Sequence, residues 1–164
     1  MRSKGEISTM AYRIRGLDPA PYRPFYGLSD DELAERGMVR MRVTQKPSFP
    51  CRVSLVDREI GEHVLLLNHV SHNVAGPYRA SHAIFVREGA AEAADFEDEL
   101  PPVFGTRVLS LRGFDSAGMM VDALLAQPGE AEAGILRLFA DARIQSIHAH
   151  NAVRGCFSAR IERN

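Results

Sequence analysis

The sequence predicts an α+β domain that is mostly antiparallel β-sheet, with two or three short helices. Three observations lead to this fold class. Several short runs alternate apolar and polar residues with the period of two that is typical of a half-buried strand. Most connections between these runs are short, which favours antiparallel pairing. The chain also lacks the regular succession of strand and helix that a doubly wound parallel sheet requires.

Length and composition are those of a single globular domain. The chain has 164 residues, and 45% of them are hydrophobic, which is enough for a sizeable core. We therefore expect one domain over residues 11–164, preceded by a polar leader at residues 1–10. Met1 and Met10 both remain candidates for the natural start.

The charge balance and the apolar runs exclude several classes of protein. Twenty basic and 21 acidic residues give a net charge of −1, so the bulk charge supplies no polycationic surface and we expect no nucleic-acid partner. The longest apolar runs are far shorter than the roughly 20 residues of a membrane-spanning helix. The N-terminus lacks the apolar stretch of a secretory signal. We therefore expect a soluble, cytoplasmic protein with no membrane partner.

The first predicted elements are two strands and a short helix. Apolar residues alternate with arginines over residues 12–15 and again over residues 39–43, which predicts two half-buried strands. Between them, Ser29 precedes three acidic residues, an arrangement that caps and stabilises the start of a helix. This helix should end by Gly37, because glycine commonly follows the last helical turn.

The middle of the chain is predicted to contain a hairpin, a further strand and a surface helix. Residues 51–56 and 63–69 are β-rich runs on either side of a polar turn, so we expect them to pair. The second run is apolar on both faces, which indicates a central strand. After a loop over residues 70–80, residues 83–86 form another buried strand. Residues 89–99 are rich in alanine and acids and should form a helix that ends before two prolines.

The C-terminal part is predicted to contain four strands and one helix. Residues 107–112 alternate cleanly, and residues 119–126 are interpreted as a strand, although a helix fits their composition too. Apolar residues at spacings i, i+3 and i+4 predict a helix from about residue 130 to 141. The last two strands are expected at residues 144–150 and 157–161.

Polar side chains concentrate in three segments beside buried strands: around Cys51, over residues 78–87 and over residues 148–156. Functional groups tend to gather where a strand ends beside a loop, so we place the site in these segments. The candidate ligand-binding residues are Arg52, Tyr78, Arg79, Ser81, His82, Arg87 and Asn151.

Arginines in or beside the predicted strands favour a small anionic ligand. They are Arg52, Arg79, Arg87, Arg112 and Arg160. The planar fork of arginine binds carboxylate or phosphate through two parallel hydrogen bonds. No glycine-rich phosphate loop is present, so a nucleotide is not indicated, and we predict no cofactor. Our main hypothesis is a binding or catalytic domain in which Arg79, Arg52 and His82 hold the anion near His150 and Cys156. The alternative is that these arginines form ordinary surface ion pairs.

The two cysteines, Cys51 and Cys156, are expected to be free thiols. Either of them is a candidate nucleophile, because a histidine such as His150 can activate a thiol. The competing interpretation is that each cysteine packs as a small hydrophobic residue.

A metal site is a further alternative. His148 and His150 lie two residues apart on a predicted strand, so their side chains project from the same face. His69, His72 or a cysteine would have to complete the ligand set, since zinc needs three or four protein ligands. No second pair has a diagnostic spacing, so we predict no metal and keep these histidines as candidates.

Five segments are distinctive in combination: AYRIRGL at 11–17, FPCRVSL at 49–55, LLLNH at 65–69, PYRASHAIFVR at 77–87, and HNA at 150–152 followed by Gly155 and Cys156. Together they resemble the bacterial domain-of-unknown-function family 1203, from about Ala11 to the C-terminus. The resemblance implies a small stand-alone bacterial domain and implies no reaction, cofactor or partner. A non-enzymatic interaction module, such as a homodimer that pairs exposed strand edges, therefore stays open as an alternative.

Overall fold

The computed structural model describes residues 12–164, and the expected leader lies outside the described residues. Nine strands, two α-helices and two short 3-10 helices make up this part of the chain. In chain order they are β1 (Tyr12–Arg15), a 3-10 helix (Arg23–Phe25), α1 (Asp30–Glu35), β2 (Val39–Arg42), β3 (His63–His72), β4 (Ala80–Arg87), β5 (Asp95–Glu97), a 3-10 helix (Pro102–Phe104), β6 (Leu109–Phe114), β7 (Met120–Ala126), α2 (Ala131–Phe139), β8 (Ser146–Asn151) and β9 (Phe157–Arg163).

The strands form two sheets. The larger sheet has the order β5-β1-β9-β8-β6-β7, and the smaller one has the order β2-β3-β4. All pairs of neighbouring strands are antiparallel. The predicted fold class is therefore confirmed. The strand that is apolar on both faces, β3, is the central strand of the smaller sheet, as its sequence indicates.

The larger sheet is covered on both faces. Along β8, Ile147 and Ala149 belong to the same apolar core as Ile135 of α2. The alternate residues His148 and His150 face the other way, where their rings meet rings from the smaller sheet. Helix α2 therefore covers one face of the larger sheet, and the smaller sheet covers part of the other face.

The segment at residues 51–56 corrects one prediction, because it is not the partner strand of β3. It folds back on itself: the Leu55 amide donates to the Cys51 carbonyl at 2.9 Å, and the Cys51 amide donates to the Val56 carbonyl at 3.1 Å. These local bonds occupy backbone groups that a hairpin would need. Strand β3 pairs instead with β2 and β4.

The predicted helix at residues 89–99 is also wrong, since this stretch contains strand β5. Phe96 pairs with Ile14 of β1 and packs against the main core, and Asp95 accepts a hydrogen bond from Arg13 at 2.7 Å. The gain from this tertiary pairing outweighs the modest helix propensity of the alanines.

The other predicted elements are confirmed, with shifts at their ends. Ser29 caps α1 by accepting from the Glu32 amide at 3.1 Å, and the Glu32 carboxylate accepts from the Ser29 amide at 2.8 Å. Strand β3 continues past residue 70 to His72, with a bulge between Val70 and His72. Among residues 12–164, no helix is long and apolar enough to cross a membrane.

Candidate functional site

Five of the six histidines lie between the two sheets, and we call them the histidine seam: His69, His72, His82, His148 and His150. The rings of His72 and His148 are 5.0 Å apart between centroids, and those of His82 and His150 are 4.8 Å apart. His69 packs against Phe157 of β9. The seam arises because β3 and β4 present their histidines to the face of the larger sheet that carries His148 and His150.

Burial opposes protonation of four of the seam histidines. It lowers the pKa of His148 to about 3, with smaller contributions from His72 and Arg160. Burial also lowers the pKa of His150 to about 4. The pKa values of His69 and His82 are lowered as well, again mainly by burial. The imidazoles of His148 and His150 are therefore neutral hydrogen-bonding groups near pH 7.

The seam histidines differ in their hydrogen bonds. His150 Nδ1 lies 3.0 Å from the Gly155 carbonyl oxygen, so in the neutral ring Nδ1–H donates and Nε2 carries the lone pair. His72 Nε2 lies 2.9 Å from the Gly118 carbonyl oxygen, to which it donates in the same way. His148 Nε2 is buried and has no partner within the described part of the chain.

At one end of the seam, a cleft of about 230 Å³ opens beside His148. We call it the histidine cleft, and its polar lining consists of Ser71, His72, Tyr78, Arg79, Arg112, His148 and His150. Among residues 12–164, no acidic residue lines this cleft. Among residues 12–164, Arg112 has one hydrogen-bond partner, the Ser110 hydroxyl at 3.2 Å, and no carboxylate partner. The cleft therefore has a positive charge that the lining does not neutralise.

At the other end of the seam lies a larger cavity of about 490 Å³, which we call the Arg52 cavity. Its polar lining includes Arg52, Arg107, Arg154, Asn151 and Cys156. Its apolar wall includes Phe49, Pro50, Phe85 and Val108. The described part of the chain contributes no acidic residue to this lining either.

The buried guanidinium of Arg52 is the main electrostatic feature of this cavity. Its side chain is 2% exposed and donates to the Phe157 carbonyl at 2.8 Å, the Pro50 carbonyl at 2.6 Å and the Cys156 sulfur at 3.2 Å. In the described chain it pairs with no carboxylate, whereas Arg107 forms two hydrogen bonds with Asp57 at 2.6 and 2.7 Å. Burial lowers the pKa of Arg52, and the Cys156 sulfur opposes that shift. A buried cation without an anionic partner is costly and marks a candidate site.

The two cysteines have different surroundings. Cys156 is half-buried, and its sulfur accepts hydrogen bonds from Arg52 and, at 3.4 Å, from Asn151 Nδ2. Cys51 is fully buried, and its sulfur accepts from the Arg87 amide at 3.2 Å. The partners of the Cys156 sulfur are thus Arg52 and Asn151 rather than His150. Cys51 packs with Leu65 and Val86 in an apolar cluster of the smaller sheet and lines neither cavity.

Two buried polar side-chain atoms in residues 12–164 lack a hydrogen-bond partner, and both belong to strand β8. His148 Nε2 belongs to a residue that lines the histidine cleft, and Asn151 Oδ1 belongs to one that lines the Arg52 cavity. Buried polar groups are nearly always paired, so each exception requires an explanation. A ligand bound in each cavity would supply the missing hydrogen-bond partner.

The structure divides most of the residues that the sequence singles out between two cavities, whereas the sequence analysis expects Arg79, Arg52, His150 and Cys156 in one pocket. Arg52 and Asn151 meet at Cys156, while Tyr78 and Arg79 line the same cleft as His150. His82 contacts the His150 ring.

Other candidates lie outside both cavities. Ser81 is exposed on β4, and Arg87 lies 3.5 Å from the Glu62 carboxylate. Arg160 pairs with Glu162 at 2.8 Å.

Sequence reasoning missed Ser71, Arg107 and Arg154 as lining residues. The alternation that predicts β6 places Ser110 and Arg112 on the same face, and this signal could have identified the cleft side of that strand. No local pattern identifies Arg154, because it lies in the turn between β8 and β9. Within residues 12–164, no group of three or more histidine, cysteine, aspartate or glutamate side chains is arranged to hold a metal ion.

Residues 48–163 match the sequence profile described as "Protein of unknown function (DUF1203)". This match covers more than half of the chain. The chain belongs to the DUF1203 family. No curated protein and no solved structure matches it. The region that matches DUF1203 contains every charged residue of the two cavities.

Proposed function

We propose that the protein binds a small organic anion in the Arg52 cavity, with Arg52 and Arg154 facing its carboxylate or phosphate group. The observation that supports this most strongly is the buried, carboxylate-free guanidinium of Arg52 beside a cavity whose lining has no acidic residue. Arginine has five N–H groups, and the described hydrogen bonds of Arg52 use three of them. An anionic ligand would neutralise a charge that the described residues leave unpaired.

The size and the lining of the Arg52 cavity indicate an organic ligand. A cavity of about 490 Å³ falls in the range of roughly 300 to 1,000 Å³ that small-molecule sites occupy. The rings of Phe49 and Phe85, 5.1 Å apart, provide an apolar wall. A bare inorganic ion would leave this wall without contacts, so the proposed ligand has an apolar body.

The Asn151 side chain suggests a further group on the ligand. Its Nδ2 donates to the Cys156 sulfur, while its buried Oδ1 has no partner among residues 12–164. A hydroxyl or amino group on the ligand, close to the anionic group, would donate to this oxygen. Hydroxy and amino acids with an apolar side chain combine these features.

A thermal-shift screen of organic carboxylates and phosphates tests the proposal. A ligand that binds the folded state raises Tm, because it stabilises that state by about 2.7 kcal/mol at a hundred times Kd. We expect Arg154→Gln and Arg52→Lys to weaken this rise for the best compound. Arg137→Gln is the matched control, since Arg137 is exposed on α2 and lines neither cavity. Absence of any stabilising compound, or an equal rise in all three variants, would contradict the proposal and favour the interaction module.

A second candidate function is a reaction at Cys156. Two N–H groups donate hydrogen bonds to the Cys156 sulfur, which favours this function. In such a reaction the sulfur bonds to an electrophilic carbon of the bound anion. The leaving group departs with the electrons of the broken bond, and the thiol proton passes to water. A covalent adduct in the intact mass, lost in Cys156→Ser and kept in Cys51→Ser, is the expected result. An adduct that persists in Cys156→Ser would exclude this candidate.

A further inference from the structure

We propose that the histidine cleft is a second, separate binding site, and that it takes a compact tetrahedral oxyanion of the phosphate or sulfate class. It differs from the Arg52 cavity in position, size and lining. Along β6, Val108 just before the strand lines the Arg52 cavity, whereas Arg112 and Phe114 line the cleft. The proposal therefore does not depend on the organic anion of the Arg52 cavity.

The polar groups of the cleft come from several elements. Arg112 belongs to β6, His148 belongs to β8, and Tyr78 and Arg79 lie in the loop before β4. A planar carboxylate is satisfied by a single guanidinium. A tetrahedral ion presents oxygens in more directions, which suits donors that approach from separate elements.

The unpartnered Nε2 of His148 is the observation that points to a ligand. His148 is 1% exposed and lines the cleft, and no described residue accepts from or donates to this nitrogen. In the tautomer with hydrogen on Nε2, the ring donates to an anion. Arg112 supplies the charge, because its one described side-chain partner is the Ser110 hydroxyl.

The volume of the cleft suits a small ion. About 230 Å³ corresponds to roughly eight water molecules at about 30 Å³ each, which fits an oxyanion with part of its hydration shell. The acid-free lining removes the repulsion that a dianion would otherwise meet.

Binding should become tighter as the pH falls. The charged and titratable groups that act on His148 are His72 from β3, Arg112 from β6, His150 from β8 and Arg160 from β9, and none of them is acidic. This cationic and apolar environment opposes protonation of His148 in the free protein. A bound anion offsets that opposition, so anion binding and proton uptake at His148 favour each other.

Titration calorimetry with inorganic sulfate and inorganic phosphate tests the proposal. Sulfate is the better probe of pH dependence, because its charge stays constant between pH 5.5 and 7.5. We expect one saturable site for each ion, with sulfate affinity rising towards pH 5.5. Arg112→Gln and His148→Phe should each lower the affinity about tenfold or more, as expected for a lost hydrogen bond to a charged group. Arg137→Gln, which removes an exposed charge on α2, should leave the affinity unchanged.

Failure of this proposal is distinguishable from failure of the proposed function. Absence of saturable binding to the unaltered protein, or equal affinity in Arg112→Gln, would overturn the oxyanion site. If His148→Phe does not fold, Arg112→Gln decides the outcome, since Arg112 is half-exposed. Arg154→Gln, which affects the Arg52 cavity alone, reports on the organic anion instead.

Discussion

The Arg52 cavity and the histidine cleft share one seam between the two sheets, yet the buried polar groups of their linings differ in kind. Arg52 is a buried cation that stays charged at all ordinary pH values. His148 and His150 are buried neutral rings whose pKa values lie far below neutrality. The same inter-sheet face thus carries a fixed cation at each end, Arg52 and Arg112, and the cleft adds buried titratable rings. Anion binding should be nearly independent of pH in the Arg52 cavity and strengthened by acid in the cleft.

The largest expected effect is acid destabilisation that originates in the seam. The folded-state pKa values of His148 and His150, about 3 and 4, lie below the ordinary value of 6.5. The unfolded chain therefore binds more protons than the folded one once the pH falls below about 6.5. Stability is fully present above that pH and is lost as the pH falls towards 4. Each histidine contributes a slope of up to about 1.4 kcal/mol per pH unit.

Urea unfolding at pH 7, 6 and 5 measures this slope. His148→Phe should reduce it, because a planar aromatic ring is kept and the titrating group is removed. His63→Gln is the matched control, since His63 is exposed on β3. An equal slope in the unaltered protein and in His148→Phe would show that the seam does not drive acid unfolding.

A smaller effect is expected when the arginine at either end of the seam, Arg52 or Arg112, is replaced by methionine. Arg52→Met should lower the free energy of unfolding by about 2–4 kcal/mol, because the Phe157 and Pro50 carbonyls lose a buried donor. Arg112→Met should lower it by less than about 1 kcal/mol, since Arg112 is half-exposed and has one hydroxyl partner. Urea unfolding at pH 7.5 checks both variants. Equal losses would contradict the expected difference between a buried arginine with three hydrogen-bond partners and a half-exposed arginine with one.

The smallest effect concerns a sequence-predicted residue that lines neither cavity. Arg87→Gln should change stability by less than about 1 kcal/mol, because Arg87 is half-exposed and its Glu62 contact is long at 3.5 Å. It should also leave sulfate binding unchanged. A loss of sulfate affinity in this variant, measured by calorimetry, would mean that the site extends along β4 beyond the cleft.

The sequence predicts the strands well because a strand's alternation is local. The alternation places His148 and His150 on one face, and the structure places them there. The stretch that forms β5 is misassigned, because its strand state depends on pairing with β1 more than 80 residues away in the chain. The hydrogen bonds within residues 51–56 likewise cannot be predicted from a composition that is rich in strand-forming residues.

The candidate site is predictable only in part, because its geometry depends on contacts between segments that are distant in the chain. The sequence names Arg52, Asn151 and Cys156 separately, and their meeting depends on where the turn after Pro50 lies against β9. The division into two cavities follows from the covering of one face of the larger sheet by β3 and β4. Neither arrangement leaves a local pattern in the chain.

The most direct test of the central claim is the alkylation of Cys156 by an anionic and a neutral reagent of similar size. Iodoacetate and iodoacetamide differ in charge, and peptide mapping separates Cys156 from the buried Cys51. An electropositive, acid-free cavity concentrates anions. We predict that the iodoacetate-to-iodoacetamide rate ratio at Cys156 exceeds that of a small uncharged thiol by about tenfold, and that it falls in high salt and in Arg154→Gln. A ratio equal to or below that of the small thiol would contradict an anion-binding Arg52 cavity.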